Sequence, residues 1–269
     1  MHYEIDFACR DSSPQQQLLN QLYAYGDDVG TKVLHRCRLN LFTLIMRELI
    51  RRGQITRFDR AIDIGCNAGV YSSMLADFGF RHVLGVDVVP GMIDTARRNF
   101  ASSEAGRTLE FRLQPAETLG GGETYDFLLC TEVIEHTDQP ARTIENIRRL
   151  IGPGGVAVIS MPNRISFPYF KAWLAYKLKR QPRDEDFERH LEYPFTRAVE
   201  LFVGDDRSLV HTDGTNLLWD DKTIRALHPT PWFPTLNRWN FQLARVWPLK
   251  YLAQFFYVVV KRADDPGAS

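Results

Sequence analysis

The chain of 269 residues has few cysteines, no net charge and no long apolar run, and each absence excludes a class of protein. Its four cysteines, Cys9, Cys37, Cys66 and Cys130, show no metal-binding spacing, so neither a disulfide framework nor a zinc fold is indicated. The 33 Lys and Arg residues balance the 33 Asp and Glu residues. Because no global basic field is available, nucleic acid is not the expected partner.

No apolar run approaches the roughly 20 residues that span a bilayer. The polar and charged start, Met1–Arg10, does not have the pattern of a signal peptide. We therefore expect a cytoplasmic protein with reduced thiols. The composition, 44% hydrophobic and 25% charged, is that of a globular protein, and the length permits one large α/β domain or a domain with an insertion.

The most informative stretch is an apolar strand that runs into a glycine turn, Ala61–Gly69 (AIDIGCNAG), with a helix after it. About twenty residues later a second apolar strand ends on an acid, Asp87. Gly65 and Gly69 let the backbone approach a ligand closely. Asp87 is placed to accept hydrogen bonds from both ribose hydroxyls. The pattern predicts a nucleoside site.

Two cofactor classes use this geometry, the dinucleotides and S-adenosylmethionine (SAM). A dinucleotide site requires G-x-G-x-x-G with the pyrophosphate on a helix N-terminus. Here Gly65 and Gly69 are four residues apart with Asn67 between them, so that fingerprint fails. Asp63, inside the strand, would oppose a pyrophosphate but suits a ligand that carries an ammonium and a sulfonium. SAM is therefore the predicted cofactor.

The glycine turn resembles the first motif of the class I SAM-dependent methyltransferases, with Asn67 in place of the middle glycine. Residues 125–136 (YDFLLCTEVIEH) resemble the fourth-strand motif of that superfamily, and residues 150–155 (LIGPGG) resemble its turn into the fifth strand. The resemblance covers residues 30–163. It implies an α/β fold with a doubly wound, mostly parallel, seven-stranded Rossmann-like sheet whose last strand is antiparallel.

The alternation of strands and helices independently predicts a doubly wound parallel sheet. We expect an N-terminal helical cap over residues 1–55, broken near Gly30, and a SAM-binding domain over residues 56–262 with a tail at 263–269. An insertion after the fifth strand, 164–195, is predicted to form a lid. A segment rich in proline and tryptophan, 226–248, has no readable role. Strands are predicted near 60–64, 82–86, 108–113, 125–130, 155–160, 207–213 and 255–260.

Residues of these motifs receive cofactor roles. Asp63 orders the glycine turn and faces the amino group of the cofactor, and Val88 and Met92 line the adenine. After the third strand, Ala116 or Glu117 supplies the adenine contact. The predicted cofactor-binding residues are Asp63, Gly65, Cys66, Asn67, Gly69, Asp87, Val88, Met92, Ala116, Glu117 and Thr131.

A constellation of the form E-x-x-E-H, Glu132, Glu135 and His136, starts at a strand end and enters a predicted helix. Residues three and four apart share a helix face, and two carboxylates with an imidazole suit Mg²⁺ or Mn²⁺. The set resembles that of the small-RNA ribose 2′-O-methyltransferases, and this resemblance makes His190 the candidate fourth ligand. Without a metal, the catalytic candidates are His136, His190 and Glu132, because imidazole titrates near neutral pH. The alternative is that Glu135 and His136 only cap the helix.

This constellation resembles two families. The ubiquinone-biosynthesis O-methyltransferases act on catechol-type polyprenyl phenols, and the small-RNA ribose 2′-O-methyltransferases hold a metal with such a set. Tyr193 stands where the RNA family carries a further histidine, which is a departure from that pattern. Residues 167–180 are basic and aromatic, as in an amphipathic helix that contacts an anionic membrane, or a lid. The predicted function is SAM-dependent methylation of a hydroxyl on a small or lipidic molecule. RNA ribose methylation and a non-catalytic scaffold are the alternatives.

Overall fold

A computed structural model describes residues 2–10, 13–23, 28–104, 106–120, 122–179 and 193–265. The strands in these ranges form one eight-stranded mixed sheet. They are β1 (Arg60–Ile64), β2 (His82–Asp87), β3 (Ser102–Glu104), β4 (Arg107–Leu113), β5 (Tyr125–Thr131), β6 (Ile151–Pro162), β7 (Arg207–Thr215) and β8 (Phe255–Arg262).

The strand order is β3-β4-β2-β1-β5-β6-β8-β7. Strands β4, β2, β1, β5 and β6 are parallel to one another, whereas β8 lies antiparallel between β6 and β7. The sheet therefore contains all seven strands predicted from the sequence and has the expected antiparallel last strand. The eighth strand, β3, pairs antiparallel with β4 over Ser102–Glu104. Three residues are too few to show an alternating pattern, so the sequence carried no signal for it.

The described helices flank this sheet. They are α1 (Pro14–Tyr23), α2 (Val29–Arg51), α3 (Val70–Asp77), α4 (Pro90–Phe100), α5 (Pro140–Leu150), α6 (Phe167–Lys179), α7 (Phe195–Phe202), α8 (Asp221–Leu227) and α9 (Phe233–Leu243), with 3₁₀ turns at Ala116–Thr118, Ile134–His136 and Leu249–Leu252.

Helix α2 carries start and stop signals at both ends. The Asp28 side chain accepts a hydrogen bond from the Thr31 N–H, which caps the first turn. Gly30 lies inside that turn, so the predicted helix break precedes Gly30 and is not caused by it. At the other end Gly53 has φ +64°, and the Gln54 N–H donates to the Leu49 carbonyl, as in a Schellman motif.

The two faces of the sheet carry separate apolar clusters, because successive strand residues point to opposite sides. Ala61 and Val83 pack on the face covered by α2, α3 and α4. Their neighbours Ile62 and Leu84 pack on the face covered by α5 and α7. Phe42 of α2 is fully buried in the first cluster, so the predicted helical cap is continuous with the core.

The predicted insertion and the segment rich in proline and tryptophan form helices in their described parts. The predicted insertion contributes α6, and residues 180–192 lie outside the described residues. Most of segment 226–248 is helical, with α9 at its centre. Trp232, Trp239 and Trp247 are 71%, 64% and 72% exposed, so these tryptophans are not core. Among the described residues, no helix has both the length and the apolar character needed to cross a bilayer.

Candidate active site

A cavity of about 680 Å³ opens at the carboxyl ends of β1, β2 and β5. Open α/β sheets bind ligands at this edge. Its walls come from the turns after these strands, from the loop after β4 and from α1, α2 and α3. It is lined by Tyr23, Thr31, His35, Arg38, Ile64, Gly65, Cys66, Asn67, Tyr71, Val86, Asp87, Val88, Val89, Gln114, Pro115, Ala116, Glu117, Thr131, Glu132, Val133, His136, Thr137 and Asp138.

The turn after β1 requires glycine at Gly65. Its φ is +75°, and a Cβ there would lie 2.2 Å from Cγ2 of Val133. The N–H groups of Gly65 and Cys66 both donate to the Val86 carbonyl, at 2.8 and 2.9 Å. The turn is thereby held against the end of β2, and its bare backbone faces the cavity.

Asn67 replaces the middle glycine of the resembled motif, and the backbone explains why this is tolerated. Its φ is +48°, in the left-handed region that glycine adopts at no cost. Asparagine is among the non-glycine residues that enter this region most readily. Its side-chain oxygen accepts a hydrogen bond from the Ala68 N–H at 2.7 Å, which stabilises the turn. Asn67 therefore keeps the backbone of the turn in the shape that a glycine would give it.

Asp87 joins the two loops that form the cofactor half of the cavity. One carboxylate oxygen accepts the Asn67 N–H at 2.9 Å, and the other accepts the Val89 N–H at 2.9 Å. A carboxylate has about four lone-pair sites, so it can also accept hydrogen bonds from ribose hydroxyls. The position at the end of β2 agrees with the predicted ribose role.

Three predicted cofactor residues do not line this cavity. Asp63 is 1% exposed and accepts a 2.6 Å hydrogen bond from the Ser72 hydroxyl of α3. Burial raises the pKa of Asp63 to about 7, and the charge of Asp87 contributes. Gly69 (φ +86°) precedes α3, where a Cβ would meet Phe111, and Met92 packs against the apolar core. These residues support the turn from below.

The loop after β4 forms the wall where adenine contacts were predicted. Ala116 begins a 3₁₀ turn whose carbonyls at Ala116 and Glu117 accept hydrogen bonds from the Asn146 amide, at 3.0 and 2.9 Å. The Glu117 carboxylate accepts the Asp138 N–H at 3.0 Å. The loop is thus fixed to α5 and to the segment that follows β5.

The predicted α-helical face of Glu132, Glu135 and His136 is wrong, because the chain does not enter an α-helix there. Glu132 has φ +55°, and the next turn, Ile134–His136, is a 3₁₀ helix with the His136 N–H bonded to the Val133 carbonyl. Glu132 and His136 still line the cavity, whereas Glu135 is 5% exposed and lies behind it. The left-handed residue at the strand end is typical of a functional site.

Glu132 is held by contacts on both oxygens. One accepts a 2.8 Å hydrogen bond from the Ser160 hydroxyl, and the other lies 3.5 Å from a guanidinium nitrogen of Arg38. Burial raises the pKa of Glu132, while Arg38 and Ser160 act in the opposite direction. Burial raises the pKa of Glu135 to about 9, and the charge of Glu132 adds to this.

The sequence analysis missed the helical side of the cavity, which Tyr23, His35, Arg38 and Tyr71 form. Tyr23, His35 and Arg38 come from α1 and α2, and Tyr71 comes from α3. The rings of Tyr23 and Tyr71 contact that of His35 edge-on, with centroids 4.2 and 6.2 Å apart. The one signal in the sequence was that α2 carries polar residues next to its apolar stripe. A charged side chain that becomes buried requires a partner, so such residues point to other polar groups nearby.

The predicted metal set is not assembled in the part of the chain that the structure describes. No three His, Cys, Asp or Glu side chains there are grouped to hold an ion. Glu132 faces Arg38, and His190 lies outside the described residues. One observation does suit a cation, since an oxygen of Glu135 is buried with no hydrogen-bond partner. The charge of this donor set fits a divalent ion, but its described ligands are too few.

The sheet order, the glycine turn and the acid at the end of β2 define a Rossmann-like methyltransferase. A family model described as a methyltransferase domain matches residues 35–201, which is more than half of the chain. The chain therefore belongs to the methyltransferase-domain family. It is a SAM-dependent methyltransferase.

Two proteins that are similar in sequence to this chain carry the same name. The chain is 33% identical over 159 residues to the ubiquinone biosynthesis O-methyltransferase of Paraburkholderia xenovorans, covering 56% of this chain and 67% of that protein. It is 35% identical over 146 residues to the protein of the same name from Xylella fastidiosa, covering 53% of this chain and 56% of that protein.

Solved structures show the same fold. Magnesium protoporphyrin IX methyltransferase from Synechocystis PCC 6803, with bound SAH, is similar at a TM-score of 0.60 and 16% identity, covering 94% of this chain and 98% of that chain. The PH0226 protein from Pyrococcus horikoshii is similar at a TM-score of 0.52 and 17% identity, covering 92% and 99%.

Proposed function

We propose that this enzyme transfers the methyl group of SAM to a hydroxyl of a small or lipidic molecule. One observation carries the proposal: Glu132, His136 and Arg38 line the same cavity as the glycine turn and Asp87. A proton acceptor and a fixed cation thus lie beside the cofactor half. The names of the relatives from Paraburkholderia and Xylella, both O-methyltransferases, support a hydroxyl acceptor.

The residues of the cofactor half fit SAM. Gly65 presents bare backbone to the cavity, with Val133 packed where a Cβ would stand, and the carboxylate of Asp87 is placed for the ribose. Val88, after β2, and Ala116, after β4, form an apolar wall suited to adenine. When bound, SAM supplies an electrophilic methyl group next to its sulfonium.

The protein contributes position and a proton acceptor. Methyl transfer is an in-line displacement, so holding the acceptor oxygen in line with the methyl group supplies much of the rate enhancement. His136 is exposed and lines the cavity, so it can take the hydroxyl proton and pass it to solvent. Glu132 accepts a hydrogen bond from Ser160 and pairs with Arg38, and these contacts hold the two charged side chains in place.

A lipidic acceptor is supported by α6, which follows β6. Phe170, Trp173 and Leu174 are 52%, 37% and 40% exposed, and Phe170 stacks on Trp173. The helix carries three lysines and no acid. An exposed apolar face with cationic neighbours suits the surface of an anionic membrane. We therefore infer a peripheral membrane contact through residues 167–180. No α6 residue is among the described residues that line the cavity.

The experiment is transfer of labelled methyl from SAM into an extract of the source cells, split into organic, aqueous small-molecule and RNA fractions. Label in the organic fraction supports a lipidic acceptor. Label in the RNA fraction would replace the proposal with ribose methylation, and no label in any fraction would favour a non-catalytic SAM-binding protein.

The same assay repeated after EDTA treatment tests the metal. Loss of transfer that Mg²⁺ or Mn²⁺ restores would show that transfer requires a divalent ion. Unchanged transfer would leave His136 and Arg38 as the groups that act on the acceptor.

A further inference from the structure

Arg38 occupies an unusual place for a charged residue. It lies in the first half of α2, and its side chain is only 18% exposed. Its guanidinium carbon lies 4.7 Å from the centroid of the Phe255 ring, and one nitrogen lies 3.5 Å from Glu132. An aromatic face and a carboxylate together fix a planar guanidinium in one orientation. Arg38 therefore presents a positioned cation to the cavity that it lines.

The groups around Arg38 come from several elements. Glu132 and Glu135 follow β5, Tyr71 lies on α3 and Tyr257 on β8. The charge of Arg38 opposes the rise in pKa that burial causes in all four. It also lies near His35 of α2, where burial and this charge lower the pKa well below its ordinary value. Arg38 is thus the cation that these buried acidic groups share.

We propose that Arg38 binds the methyl-accepting oxygen of the substrate as an anion. The proposal rests on the proposed function, because it needs an acceptor hydroxyl. It goes further in assigning to a side chain the charge that a metal ion would otherwise supply. The acceptor class that follows is an acidic hydroxyl, such as a phenol or an enol, since a fixed cation favours the ionised form.

The step balances as follows. The hydroxyl proton moves to His136, and the oxygen left behind is held by Arg38. A lone pair of that oxygen forms the C–O bond while the C–S bond breaks, and the electron pair of that bond remains on sulfur. The products are a methyl ether, S-adenosylhomocysteine and one proton, which leaves through His136.

If Arg38 served only to neutralise Glu132, its contacts and its place in the cavity would be explained less well than by binding of the substrate oxygen. Glu132 already receives a hydrogen bond from Ser160 on its other oxygen. Arg38 lines the same cavity as the glycine turn. Neutralisation alone would not require it to line the cavity.

The test measures ionisation of a bound phenol rather than turnover. Protein saturated with S-adenosylhomocysteine is titrated with 4-nitrocatechol, whose absorbance reports its ionised form. We expect the wild-type protein to lower the pKa of the bound probe by about one to three units. Arg38→Gln should abolish this shift, and Arg38→Lys, which keeps the charge but not the fork, should retain part of it.

The matched control is Arg47→Ala, an exposed arginine on the same helix, which should leave the shift unchanged. Arg38→Gln leaves the Glu132 carboxylate without its cation, which could by itself cause misfolding. The double variant Arg38→Gln with Glu132→Gln removes that charge, and the shift in the pKa of the probe should still be absent. The proposal is overturned if the wild-type protein does not lower the pKa of the probe, or if Arg38→Gln lowers it equally. A shift that depends on Arg38 without methyl transfer to any hydroxyl would refute the proposed function alone.

Discussion

At the scale of single residues, the cofactor half depends on backbone shapes that few side chains allow. Gly65 and Asn67 have positive φ, and Asp87 bonds to the Asn67 and Val89 N–H groups. Asp87 therefore orders two loops and still presents carboxylate lone pairs to a ligand. We therefore assign two roles to the Asp87 side chain, ordering of the two loops and binding of the ribose.

Asp87→Ala should weaken SAM binding by roughly tenfold or more, because hydrogen bonds to a charged group contribute about 1.5–3 kcal/mol. Isothermal titration calorimetry with SAM measures this affinity. The control is Asp94→Ala on α4, whose side chain is 61% exposed and outside the cavity. Equal affinities for the Asp87 variant and the wild-type protein would show that the ribose assignment is wrong.

At the scale of elements, helix α6 is the least explained by packing. Phe170, Trp173, Leu174 and Leu178 of this helix are exposed, whereas most apolar residues of α2 and α5 are buried in the core. An exposed stripe of this kind marks an interaction surface. Lys171 bonds to Asp220, the N-cap of α8, at 2.9 Å, which attaches the helix to the body.

Phe170→Ser combined with Leu174→Ser should reduce co-sedimentation with vesicles that contain anionic lipid, by severalfold or more. The reason is that full burial of each such side chain in an apolar phase contributes about 1.5–3 kcal/mol. Leu209→Ser on β7 removes an equally exposed leucine and should have no effect, since Leu209 is 42% exposed and belongs to a strand. If wild-type protein does not sediment with the vesicles at all, α6 is not a membrane contact.

At the scale of the whole molecule, buried acids make stability depend on pH. Burial raises the pKa of Glu135 from its ordinary value of 4.5 to about 9. The folded state then holds a proton that the unfolded state releases, so the free energy of unfolding falls as pH rises between those two values. This stability is complete below pH 4.5 and lost above about pH 9.

Glu135→Gln should remove this loss. The difference in the free energy of unfolding between the variant and the wild-type protein should increase with pH in metal-free buffer. The increase should be up to about 1.4 kcal/mol per pH unit from pH 6 to pH 8.5. Urea unfolding at several pH values measures the difference. A constant difference across this range would mean that Glu135 ionises normally in the folded protein.

The sequence predicted the sheet well, because its signals are local. The strands β1, β2 and β5 are short apolar runs that end in glycine or acidic residues, and the structure has them where the pattern indicated. The pattern failed at Glu132, where a positive φ and a 3₁₀ turn replace the expected helix. Nothing in the spacing of Glu132, Glu135 and His136 distinguishes an i+3 turn from an i+4 turn.

The sequence by itself determined the fold class and the cofactor half of the cavity. The strand, turn and acid that we assign to SAM are adjacent in the chain or separated by one helix, so local geometry brings them together. Only the tertiary structure decided the helical side of the cavity. Tyr23, Arg38 and Tyr71 line the same cavity as Glu132 because α1, α2 and α3 pack into one apolar cluster on one face of the sheet. That packing depends on long-range burial of apolar surface, which residue spacing does not encode.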